Sequence, residues 1–131
     1  MDDVRYVRFQ ATQRDQKGRL VGVFGLVNSL ARAGRLTETQ ERFRRANNDW
    51  YDASYTDPST VDPSVYDQEL HPAAAAWFKS SAIHLIERVG GYLAILDAHG
   101  IDWVRLDSQD PGRIVYEDAD QIVVVAHPVD R

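Results

Sequence analysis

Ile101-Asp102-Trp103-Val104-Arg105-Leu106, Arg113-Ile114-Val115-Tyr116-Glu117 and Gln121-Ile122-Val123-Val124-Val125-Ala126 follow one another at the end of the chain. Each run is rich in β-branched and aromatic residues, which favour strands. Between the first two, Asp110-Pro111-Gly112 has the form of a type II turn, with Pro at i+1 and Gly at i+2. Asp118-Ala119-Asp120 turns the chain again before the third. Short local turns favour antiparallel neighbours, so a three-strand meander is expected. The unbroken apolar run from Gln121 suits a central strand covered on both faces, or one joined by a strand from elsewhere.

That other strand is at the N-terminal end, where Val4-Arg5-Tyr6-Val7-Arg8-Phe9-Gln10 reads as β with Tyr6 and Val7 flanked by arginines. Helices fill the middle. Val21 to Ala33 places Val23, Val27 and Leu30 on one side, and Gly34 follows as a C-terminal cap. Thr37-Glu38-Thr39-Gln40 has the form of a capping box and opens a helix to about Ala53. Phe43, Asn47, Trp50 and Tyr51 share one stripe of it, while Glu41, Arg45 and Asp49 alternate in sign on another. Pro72 suits the first turn of a helix running from Ala73 to about Arg88. A shorter helix, Tyr92 to Ala98, follows Gly90-Gly91 and closes at Gly100. The expectation is one α+β domain over residues 1–131. It has an antiparallel sheet of about four strands, the N-terminal strand plus the meander, with about four helices packed on one face.

Composition narrows the function classes. Hydrophobic residues at 44% and charged residues at 27% are ordinary for a folded domain and wrong for a disordered one. The chain contains no cysteine, which excludes disulfides, thiolate catalysis and Cys-ligated metals. Met1-Asp2-Asp3-Val4-Arg5 does not read as a signal peptide, and Ala73 to Leu96 is too polar to span a bilayer, so a cytoplasmic protein is expected. The net charge of −5 is unevenly laid out, with ten Arg or Lys against five Asp or Glu in residues 1–48. The two halves are expected to face each other, and the acidic whole argues against a nucleic-acid partner.

Several side chains are candidates for chemistry. On the helix expected after Pro72, Trp77, Ser80, Ser81, His84 and Arg88 would lie along one edge, within reach of one another. Ser80 and His84 could then act as nucleophile and base, although no orienting acid or oxyanion hole accompanies them. Boundary residues bonded to a neighbouring loop explain the same pattern. Asn47, set in an apolar stripe, needs partners and could read a ligand or tie down the segment that follows. That segment, Ser54 to Leu70 (residues 54–70), is a long acidic loop with Asp57-Pro58 and Asp62-Pro63 steps, and long loops are usually functional or mobile. Trp50, Tyr51, Tyr55 and Tyr66 could line a pocket beside it or fasten it to the core. Asp52, Asp57, Asp62 and Asp67 recur every five residues, but without the calcium-loop pattern they read as turn formers and no metal is expected. His71, His84, His99 and His127 lack metal spacing, and Gly18, Gly22 and Gly25 form no nucleotide fingerprint, so no cofactor is expected. The helix pair across Gly34-Arg35-Leu36 has a helix-turn-helix outline with Arg42, Arg44 and Arg45 as phosphate contacts, weakened by Glu41, Asp49 and Asp52 on the same helix.

The strings Trp77-Phe78-Lys79-Ser80-Ser81 and Asp110-Pro111-Gly112-Arg113-Ile114-Val115-Tyr116-Glu117-Asp118 resemble those of small, uncharacterised proteins of actinobacteria, over most of the chain. The resemblance implies no activity, cofactor or catalytic residue. Three readings stand. The first is a non-catalytic binding or interaction module, whose ligand residues would come from Asn47, Trp50, Tyr51, Trp77, Ser80, His84 and Arg88, or whose partner is a protein or a second copy. The second is a small hydrolase or transferase using His84 with Ser80 or a loop carboxylate. The third is nucleic-acid binding through the Arg42–Arg45 helix.

Overall fold

The computed structural model describes residues 5–127; the acidic start at residues 1–4 and the tail at residues 128–131 lie outside it. Strand β1 (Tyr6–Ala11) leads through a loop to helix α1 (Val23–Arg32) and helix α2 (Glu38–Ser54). A single turn, α3 (Pro58–Val61), precedes strand β2 (Ala75–Lys79) and helices α4 (Ile83–Glu87) and α5 (Gly90–Ala98). Strands β3 (Trp103–Ser108), β4 (Arg113–Glu117) and β5 (Gln121–Val125) complete an antiparallel sheet in the order β3-β1-β2-β5-β4. The fold is α+β. Local signals act where they were expected: the Thr37 hydroxyl accepts from the Gln40 amide while the Gln40 side chain accepts from the Thr37 amide, and Gly34 and Gly100 end their helices at φ of 69° and 68°.

Three expectations are corrected. Residues 75–79 form a strand, not the first turns of a helix. Ala73 is left-handed at φ 55°, which stops any helix after Pro72, and Ala75 to Phe78 then pair with Val124 to Gln121. Only residues 83–87 of that stretch are helical. The three C-terminal strands are also not a meander. β2 occupies the centre of the sheet, so β4 and β5 form a hairpin on one side of it while β3 pairs along β1 at the opposite edge. Finally, Gly112 does not take the positive φ that a type II turn requires. A Cβ there would collide with the Val125 carbonyl, so glycine is needed for close approach of two backbones.

Side chains alternate across the sheet. Val7, Phe9 and Phe78 face the helices and join Val23, Val27, Leu30, Tyr51, Leu85, Val89, Tyr92 and Leu96 in the main core. Trp77, Ile122 and Val124 form a smaller cluster on the other face, with Tyr6 and Leu106 against them. The β4–β5 turn is held by Asp118, whose carboxylate accepts from the Asp120 and Gln121 amides, the Tyr116 hydroxyl and the Gln121 side chain. Burial pushes this carboxyl up, but those donors outweigh it and hold it below its usual value. Asp118→Ala is expected to cost about 2 kcal/mol by orphaning two amides. In the wild type, the same stabilisation is present above the ordinary carboxylate pKa and fades as pH falls through the depressed one. Urea melts of both proteins across acid pH check this; equal stability of the two at neutral pH would refute it.

Candidate functional site

The structure brings five of the seven residues singled out by sequence together at the junction of α2 and α4. Asn47 is buried; its amide donates to the Phe43 carbonyl and its oxygen accepts from Arg88 Nε at 3.0 Å. The Arg88 guanidinium lies 4.2 Å from the Trp50 ring centre, and the His84 ring meets the same indole edge-on at 6.4 Å. Tyr51 sends its hydroxyl to the Leu85 carbonyl at 2.7 Å. These contacts pin α4 to α2. Asn47 therefore secures its own helix and Arg88, not the acidic loop. Trp77 and Ser80 are elsewhere: Trp77 is on the opposite face of the sheet, and Ser80 follows β2, its amide bonded to the Arg5 carbonyl. With β2 a strand, Ser80 and His84 do not share a helix edge, and no hydrogen bond joins them.

A residue outside that set, Arg8, organises a concavity on the other face of the sheet. β1 pairs with β2 only at Tyr6 and Val7. Farther along, the loop before α1 takes over β2's place, with Gln10 bridging Gly22 and the Ala11 amide bonding the Val21 carbonyl at 2.8 Å. Where the two strands part, backbone groups lose their ladder partners and must find others. Arg8 supplies them. Its Nη1 donates to the Ala76 carbonyl at 2.9 Å and Nη2 to the Leu20 carbonyl at 3.0 Å, while Nε donates to the Gln10 side chain at 2.8 Å. The guanidinium passes close over Gly22, where a Cβ would stand 3.4 Å from Nη2. Burial lowers its pKa, and only the Tyr66 phenol opposes this.

Two clefts meet at this seam. On the helix side, about 990 Å3 opens between the end of α2, the loop after it and the sheet, lined by Asn28, Asn48, Tyr51, Asp52, Tyr55, Asp57, Tyr66 and Gln121. On the other side, a trough of about 760 Å3 runs over Ala75, Trp77, Leu106, Pro111 and Val124, with Arg8, Arg14, Arg19 and Arg32 among its walls. A small void of about 70 Å3 lies between them, walled by Arg8, Phe9, Phe24, Tyr55 and Phe78. Tyr66 borders both clefts. The charges are opposed across the seam. The helix-side cleft carries Asp52 and Asp57 with no cation in its lining, whereas the trough carries four arginines against Asp15, which is already paired with Arg19 at 3.1 Å. Both volumes are of the size that holds small ligands.

The remaining candidates have other roles. Asp57, Asp62 and Asp67 each accept from an amide two residues on, at Ser59, Ser64 and Glu69, so the five-residue spacing marks successive turns of the acidic segment. His71 Nδ1 bonds the Ser64 and Val65 carbonyls and closes that segment on itself. Among the described residues, no three His, Asp or Glu side chains gather as a metal site requires, and no helix is long and apolar enough to cross a membrane. Arg44 and Arg45 both engage Glu41, and Arg44 also reaches Asn28. Of the trough residues only Trp77 is a candidate from sequence, and Arg8, Arg14, Arg32, Leu106 and Val124 are not. Arg8 matters most among them. Its one sequence signal is alternation: with Val7 and Phe9 facing the core, Arg8 must stand on the opposite face. Compared with known proteins, the chain matches no family model, no curated protein and no solved structure.

Proposed function

We propose that the protein is a non-catalytic binding module of the cytoplasm that takes a small ligand in the trough where β1 and β2 part. One observation carries the reading: a concavity of ligand size converges on a part-buried, oriented guanidinium held in place by three hydrogen bonds. Arg8, Ala75, Trp77, Leu106 and Val124 in its lining stand on strands β1, β2, β3 and β5, which fix their positions as an ordered site requires. Trp77, at 9% exposure, forms part of that lining. A thermal-shift screen of the whole chain against carboxylates, phosphates, amines and neutral metabolites tests it. A ligand at a hundred times its Kd adds about 2.7 kcal/mol, which raises Tm by about 10 °C in a domain of this size. A screen in which no class moves Tm by more than about 1 °C contradicts the proposal.

A further inference from the structure

We infer that the trough recognises an anionic head group, a carboxylate or a phosphate monoester, carried on an apolar body, and that Arg8 is the residue that binds the anion. The inference rests on the reading of the trough as a ligand site and names the chemistry of its occupant. A guanidinium has five N–H donors in a planar fork. Arg8 commits three of them to Ala76, Leu20 and Gln10, all neutral acceptors, which leaves one N–H on each terminal nitrogen. Among the described residues no carboxylate pairs with it. A part-buried cation with only neutral partners lacks the counter-charge that normally offsets its desolvation. An incoming oxyanion provides it, and the fork geometry suits a two-oxygen acceptor. Arg14 and Arg32 add positive potential at the same trough, in a chain whose net charge is −5. The apolar walls set the rest of the ligand, because Trp77, Leu106 and Val124 have no use for a polar body.

The test compares octanoate, octyl phosphate and the uncharged octanamide by isothermal titration with the wild-type chain and with Arg8→Met. Either anion is expected to bind the wild type about tenfold or more tightly than the amide, as a charge-assisted hydrogen bond would give, and the preference is expected to vanish in R8M. Circular dichroism confirms that the variant is folded. Should R8M fail to fold, the wild type decides through its Arg8 Nε–H resonance, which must shift on saturation with octanoate and stay in place with octanamide. Equal binding of acid and amide overturns the role of Arg8 while leaving the trough as a ligand site. Preference that survives in folded R8M overturns it as well. Failure of all three compounds to bind overturns the inference together with the reading of the trough.

Discussion

Replacing Tyr92 by alanine is expected to remove most of the stability of the fold. Tyr92 is fully buried, and its ring meets Phe24 at 4.8 Å, Phe43 at 5.3 Å and Tyr51 at 6.0 Å between centres. Removing a buried aromatic side chain costs about 3–5 kcal/mol through lost transfer energy and the cavity left behind. Here the cavity opens where α1, α2 and α5 meet, and three rings lose an edge-to-face or tilted neighbour, each worth about 1 kcal/mol beyond area. The hydroxyl also donates to Asn48 at 2.6 Å, and Asn48 in turn bonds Asn28 on α1. Against a typical total of about 5–15 kcal/mol, Tyr92→Ala should leave a marginal protein with Tm lower by about 15 °C. Tyr92→Phe keeps the packing and loses only the bond to Asn48, so it should cost about 1 kcal/mol. Urea denaturation of the two variants separates packing from hydrogen bonding. An alanine variant within about 1 kcal/mol of the wild type would show that the core is not built around this ring.

High pH should unfold the protein cooperatively. Burial raises the pKa of Tyr51 and Tyr92 far above the ordinary phenol value, with neighbouring phenols adding to it, and pushes Tyr55 up to about 12. Above about pH 10 the unfolded chain releases these protons while the folded chain retains them. The folded state then holds more protons than the unfolded one, so stability falls as pH rises, by about 1.4 kcal/mol per pH unit for each retained phenol. The loss begins near the ordinary phenol pKa of about 10 and, for Tyr55, ends near its raised value. The phenolate absorbance that belongs to Tyr51, Tyr55 and Tyr92 should appear in the same step in which far-UV circular dichroism is lost. Tyr51→Phe and Tyr92→Phe should each make the fall shallower. Smooth ionisation of all six tyrosines with the dichroism unchanged would contradict the account.

Much of the fold is readable where local signals and tertiary needs agree. The capping box at Thr37, the glycine ends of α1 and α5, and the strands at Tyr6, Trp103, Arg113 and Gln121 are of this kind. Ala73 to Ala76 misleads because alanine is the best helix former, yet Ala73 is left-handed and Ala75 and Ala76 pair with Val124 and Val123 of β5, which overrides propensity. The wrong period then misplaces side chains: on a helix Trp77 and His84 share an edge, whereas on a strand Trp77 and Phe78 point to opposite faces. Asn47, Trp50 and Tyr51 were legible as a group because one correctly read helix carries them. The importance of Arg8 was not legible, since it depends on where two strands far apart in sequence diverge. No window around residue 8 contains that information.

The most direct test of the account follows the indole N–H resonances of the three tryptophans while octanoate is added. They report separate places: Trp77 in the trough, Trp50 beneath Arg88 at the α2–α4 junction, and Trp103 bonded to Asp97 near the β3 edge. A ligand seated against Arg8 predicts a saturable shift of Trp77, with Trp50 and Trp103 unmoved. A saturable shift of Trp50 with Trp77 unmoved would place binding at the α2–α4 junction and contradict the account.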